Sequence, residues 1–252
     1  YAERIDEAFA DYGQAIKLEP DSPDRYNARG NAARLRGRYD EAIADYDRAI
    51  KLAPENKTFP SNRQRALRDH QWAAAQSLRG AHDYAQAVAA AQKMLEIERQ
   101  WLGEDNGETV VSVEWIANTY QEAALASLPD EDSSLEAAPT GVVAENLARA
   151  EDRFVEALAW REKHQGATHW NTIDARIALA DIRLLRTFTV AQLRKYLQWN
   201  EGLNEAATHY NEAEFGAALQ AADKAAAICA ELVAEKHPDY AQCLSSVAQA
   251  YV

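Results

Sequence analysis

Paired carboxylates are the first residues of this chain whose type and spacing would suit chemistry. Asp6-Glu7, Asp40-Glu41 and Glu212/Glu214 each set two acids close together, and two carboxyls held across a cleft are the acid and base of glycoside hydrolysis. The first two pairs, however, fall at the same point of two similar segments, "ERIDEAFADYGQAIKLEPDS" from Glu3 and "GRYDEAIADYDRAIKLAPEN" from Gly37. Acids at the start of a helix favour the positive end of its dipole, so their expected role is structural. Of the six histidines, His164 and His169 flank a glycine-containing turn, and His169 and His237 occupy equivalent linker positions. No H-E-x-x-H or clustered Cys/His spacing accompanies them. Cys229 and Cys243 lack a neighbouring His or Asn in a nucleophile motif, and buried thiols are the default. In "ARGNAARLRGRYD", Gly30 reads as a helix-packing position and Gly37 as a turn, so no phosphate cradle results. The chain is therefore expected to hold no catalytic residue, no cofactor and no metal.

What must position these residues is a set of helices. The 252 residues carry only 10 Gly and 7 Pro, and no segment alternates apolar and polar residues as a half-buried strand would, which indicates an all-helical protein. Ala8, Tyr12, Ala15 and Pro20 register without a gap on Ala42, Tyr46, Ala49 and Pro54, an offset of 34 residues. Ala42, Tyr46 and Ala49 share one helical face. Small alanines admit a close neighbour, the tyrosine fills the remaining gap, and Pro54 ends the helix. Looser versions of the same stripe follow at Ala87, Ala91, Met94, then Ala150, Phe154, Ala157, then Ala218, Ala222, Ala225. One such hairpin cannot bury its face alone, so neighbours must stack.

A 34-residue helix-turn-helix period is the signature of the tetratricopeptide repeat, and residues 23–56 resemble one whole unit. Tyr26, Gly30, Tyr39, Ala42, Tyr46, Ala49 and Pro54 fall on the family's patterned positions, while Arg29 and Ala33 depart from its larger apolar and aromatic residues. The later repeats, with linkers such as His237-Pro238, resemble those of kinesin light chains and of many bacterial tetratricopeptide proteins; Asn106-Gly107 and His169-Trp170 depart from that linker. The resemblance implies an all-α, right-handed superhelical solenoid of about five stacked hairpins. Read along the chain, 1–22 is the second helix of a truncated repeat, 23–56 a complete repeat and 57–103 another. Residues 104–165 form a repeat carrying an acidic insertion at 128–141, 166–235 a repeat-like unit with an extra helix at 187–202, and 236–252 the first helix of a truncated repeat. Opening without Met and stopping inside a periodic apolar pattern, the chain reads as a piece of a longer protein.

In this family the first helices line a concave groove that binds peptides or partner helices. The groove-facing positions map to Asn27, Asn31 and Arg34, then Trp72, Gln76 and Arg79, then Glu114 and Asn118. Asn can satisfy backbone donors and acceptors, and Arg pairs bidentately with carboxylates. The family's chaperone-tail clamp is disfavoured, because only Asn31 of its set is kept and Asp24 and Asp69 stand where cations would help. The implied function is a non-catalytic scaffold for a protein or peptide partner. Bacterial relatives of this kind often carry an effector domain such as a caspase-like peptidase, which makes a regulatory module of a larger effector one alternative.

Charge bears on the partner. The chain has 27 Lys and Arg against 40 Asp and Glu, a net −13, which disfavours non-specific attraction to nucleic acid or anionic lipid. From Arg25 to Arg79, though, twelve basic residues face six acidic ones. This stretch is a candidate dock for an acidic partner and, as a further alternative, for nucleic acid. No apolar run suits a membrane span, and two cysteines suit a reducing, cytoplasmic setting.

Overall fold

The computed structural model describes residues 2–129 and 136–232. The expected helix at 236–252, with His237, Pro238 and Cys243, lies outside the described residues, as does the centre of the acidic insertion, 130–135. The described chain is all-α: helices α1 (Ala2–Leu18), α2 (Pro23–Leu35), α3 (Tyr39–Leu52), α4 (Thr58–Gly80), α5 (Tyr84–Leu102), α6 (Gly107–Ala126), α7 (Gly141–Gln165), α8 (Trp170–Leu185), α9 (Val190–Asn211) and α10 (Phe215–Leu232). They fall into two compact units, Tyr1–Thr119 and Tyr120–Val252.

In the first unit each helix packs on the next from α1 to α5, and the first helices α2 and α4 also touch. Pro23 opens α2, where its missing N–H costs nothing and its fixed φ suits the first turn. The α2/α3 hairpin is built as its sequence demands: Ala42, Tyr46 and Ala49 are fully buried, and Ala33, Ala42, Tyr46 and Ala66 form one cluster with Phe9 and Ile43 packed against it. Gly30 is required by contact, since a Cβ there would lie 2.9 Å from the Tyr46 ring. Arg29, the departure from the family pattern, forms a two-pronged bond to Asp45, with Nε and Nη2 at 2.8 and 2.6 Å from the carboxylate oxygens. That carboxylate is buried, so the acids of "DEAIADYD" do not all lie on a wet outer face.

In the second unit α7 packs on α8 and α9 on α10. The stripe Ala218, Ala222, Ala225 is fully buried, and Gly202 lets α9 approach Ala225 to within 3.2 Å of where a Cβ would stand. Val190 and Leu193 of the stretch at 187–202 are buried near the start of α9, and the Val190 N–H donates to the Ala137 carbonyl at 3.1 Å. A capping box from Thr189 and Gln192 satisfies further N-terminal donors of the helix.

One turn recurs across the units. After α2, the Arg38 and Gly37 N–H groups return to the carbonyls of Ala33 and Arg34; after α4, Asp83 and His82 return to Leu78 and Arg79; after α9, Glu214 and Ala213 return to His209 and Tyr210. This closure requires a left-handed residue at its corner. Gly37 adopts it at φ 72°, and His82 and Ala213 adopt it at φ 60° and 61°.

Candidate functional site

The eight expected groove residues divide by what their polar ends do. Those on α2 are engaged within the fold: Asn27 Oδ1 accepts from Asn62 Nδ2 at 2.8 Å, Asn31 Oδ1 accepts from the Tyr46 hydroxyl at 2.8 Å, and Arg34 reaches Asp69 at 2.6 Å. Asn27–Asn62 and Arg34–Asp69 share the same 35-residue separation. They are two rungs tying one first helix to the next. Asp69, which stands where a carboxylate clamp would want a cation, is thereby the anion of an internal pair.

The residues on α4 and α6 are placed differently. Trp72 meets Trp115 edge to face with centroids 5.1 Å apart, and the Arg79 guanidinium lies 5.0 Å from the Trp115 centroid. Gln76 and Asn118 are exposed; Asn118 Nδ2 donates to the Glu114 carbonyl at 2.9 Å, one turn back. Trp72, Arg79 and Trp115 are thus brought together, whereas the polar ends of the α2 set bond to Asn62, Tyr46 and Asp69.

Trp72 and Trp115 both line a cavity of about 310 Å³. Arg68, Asp69 and Trp72 line it from α4, Met94 and Glu98 from α5, and Glu108, Val111, Ser112 and Trp115 from α6. Met94 and Glu98 are its buried floor, at 3% and 4% exposure. Burial pushes the Glu98 carboxyl above the usual carboxylate range, opposed by the bond its Oε2 accepts from the Ser112 hydroxyl at 2.6 Å and by the charge of Arg68. Arg68 is itself committed, to Asp69 at 3.0 Å and to Glu108.

Sequence reasoning reached Trp72 but not the rest of this cavity. One signal was available. Glu98 continues the stripe Ala87, Ala91, Met94 by one more helical step, so an acid stands where packing calls for an apolar side chain. Trp115, Arg68 and Ser112 carry no comparable mark, because their roles depend on a neighbour in another repeat.

The basic stretch from Arg25 to Arg79 is mostly engaged. Arg25, Arg29, Arg34, Arg36, Arg38, Arg63 and Arg68 pair with Glu19, Asp45, Asp69, Asp6, Glu41, Asp47 and Glu108 respectively. Arg48 and Arg65 lie over the rings of Tyr26 and Trp101. Elsewhere, His169 Nδ1 accepts from the Asn171 N–H at the start of α8, a capping role. His209, Glu212 and Glu214 bring ligand atoms within 4.8 Å of one another, both acids being exposed. The 2.7 Å contact of His209 Nδ1 with Glu214 spans the α9/α10 turn.

The helix pair α2/α3 defines the class of protein. The family model described as Tetratricopeptide repeat matches residues 23–56. Residues 23–56 accordingly form a tetratricopeptide repeat, within a described chain that is all-α and whose helices α2/α3, α4/α5, α7/α8 and α9/α10 pack as pairs. Among solved structures it is similar to the crystal structure of BtubC (BKLC) from P. vanneervenii, at 12% identity over 99% of this chain and 81% of that chain, with a TM-score of 0.36. No curated protein sequence matches it. No helix among the described residues is long and apolar enough to cross a membrane.

Proposed function

We propose that this chain is a non-catalytic protein-interaction scaffold whose first helices α2, α4 and α6 present a groove to a peptide, helix or partner domain. The observation that carries this reading is the pair Trp72 and Trp115, half-buried on successive first helices above a cavity. Aromatic side chains standing over a recess are what anchors a partner in a groove. The engagement of Asn27, Asn31 and Arg34 shifts the weight of contact from α2 to α4 and α6, where Gln76 and Asn118 are exposed near Trp72, Arg79 and Glu114. Oligonucleotide binding through 25–79 is the weaker reading, since the arginines paired there have their charge offset by carboxylates. An acidic partner docking on α2 meets the same objection. Serving as the recognition module of a larger effector, in a reducing cytoplasm, would use the same groove.

Photo-crosslinking tests the placement. A photoreactive amino acid is introduced in turn at Gln76, at Asn118 and at Lys93, an exposed position on the second helix α5. Partner capture from Gln76 and Asn118 but not from Lys93 is the expected result. Capture mainly from Lys93 would place the interface on the opposite helices and overturn the reading.

A further inference from the structure

Glu98 is a costly residue to keep where it is. A carboxylate removed from water without a paired cation is strongly unfavourable, yet Glu98 is almost wholly buried on the stripe where α5 otherwise carries Ala87, Ala91 and Met94. A leucine or methionine there would pack without that penalty. The nearby cation, Arg68, forms its direct ion pairs with Asp69 and Glu108, so its charge eases the burial of Glu98 without pairing with it.

We infer that this cavity receives the lysine or arginine side chain of a partner polypeptide, with Glu98 as counter-charge and the Trp72 and Trp115 rings as walls. The inference rests on the groove reading and adds to it the chemistry of the partner's anchor. Charge selects the sign: three carboxylates, Asp69, Glu98 and Glu108, line the cavity, and the two guanidiniums bonded there, Arg34 to Asp69 and Arg68 to Asp69 and Glu108, leave one negative charge over. An anionic occupant would face all three, and an apolar one would seal Glu98 away from both water and cation. The rings select in the same direction, because indole faces attract cations, and Arg79 over Trp115 already makes such a contact within this chain. Size completes the argument. About 310 Å³ is near the lower end of ligand pockets, roughly 300 to 1,000 Å³, and suits one long side chain whose methylene stem lies along Met94 and Val111.

The test uses the whole chain and the peptide acetyl-Gly-Gly-Lys-Gly-Gly-amide, its arginine, norleucine and glutamate counterparts, and n-butylammonium. Binding is read from the indole N–H resonances of Trp72 and Trp115, assigned with Trp72→Phe and Trp115→Phe. The lysine and arginine peptides are expected to shift both resonances. The norleucine peptide should bind at least about tenfold more weakly, the glutamate peptide should leave both unmoved, and n-butylammonium should bind more weakly than the lysine peptide. Glu98→Gln should erase the preference of lysine over norleucine while helicity is retained; should that variant fail to fold, the lysine and norleucine comparison on the unaltered chain decides alone. Equal binding of lysine and norleucine, binding of the glutamate peptide, or silence from every basic peptide overturns the inference, and n-butylammonium matching the lysine peptide replaces the polypeptide with a free amine. Crosslinking from Gln76 and Asn118 with silent peptides removes this inference alone. Responsive peptides with crosslinks only from Lys93 remove the groove reading instead.

Discussion

Two glutamates on second helices, one in each unit, are handled in opposite ways. Glu151 on α7 is flanked by two cations of α8: Arg183 at 2.7 Å and Arg186, whose hydrogen bonds hold the carboxyl below the usual range. Glu98 on α5 is buried, takes one hydroxyl, and is pushed upward by desolvation. The difference teaches where to look for function. An acid paired with cations within its own unit is accounted for by folding; one buried beside a cavity and bonded to a hydroxyl rather than to a cation is not. The two units also fill their hairpins differently, α2/α3 with the glycine-tyrosine pair of Gly30 and Tyr46, and α9/α10 with the glycine-alanine contact of Gly202 and Ala225.

The hairpin contrast gives the largest expected effect. Tyr46→Ala empties the fully buried centre of α2/α3 and removes the bond to Asn31. A loss of about 3–5 kcal/mol is expected, read as lost amide protection in α2 and α3. No single alanine of the α10 stripe carries a comparable side chain.

Next is the carboxylate contrast. Arg183→Met with Arg186→Met leaves Glu151 without these partners and, both arginines being about half exposed, is expected to cost about 1–2 kcal/mol, seen as faster exchange of α7 and α8 amides. Charge then links the same two sites to pH, with opposite signs. Glu151 has a lowered folded-state pKa, so its stabilising contribution is full above the ordinary glutamate value and is lost as pH falls through the folded value. Glu98 has a raised one: the folded state takes its proton first, and its contribution is full below the unfolded value and lost as pH rises through the folded value. Acidification should therefore strengthen protection around α5 and α6 while weakening it around α7 and α8. Movement of both in the same direction would break the comparison.

The smallest effect concerns the shared turn. Ala213→Gly relieves a left-handed alanine and should stabilise α9/α10 by about 0.5–1 kcal/mol. Gly37→Ala at the equivalent corner of α2/α3 should destabilise by a similar amount, both measured by denaturant midpoint.

The hairpin of residues 23–56 was legible in the sequence because its contacts are made by residue size. Ala42, Tyr46, Ala49 and Gly30 sit where a helical stripe and a missing side chain would put them, and all four are buried. Polar residues were less legible. Asp45 on α3 and Glu98 on α5 are buried, but an acid in a helical stretch reads as solvated unless its partner is known. Arg29 and Ser112 are those partners, and neither is adjacent in sequence. The bonds of the α2 set were hidden for a related reason: Asn27 and Arg34 reach α4, and whether Asn62 and Asp69 come opposite depends on the length of the linker between repeats. The repeat pattern put Trp72 and Arg79 on one face of α4, while their contact with Trp115 needed α4 and α6 side by side.

The measurement that bears most directly on the account is the titration of the Glu98 side-chain carboxyl by carbon-13 NMR, without and with the saturating lysine peptide. The account predicts a pKa above the ordinary glutamate value in the unliganded chain, falling when the peptide binds, because a cation beside the carboxyl favours its charged form. An ordinary pKa without peptide, or a raised one that the bound peptide leaves unmoved, would contradict it.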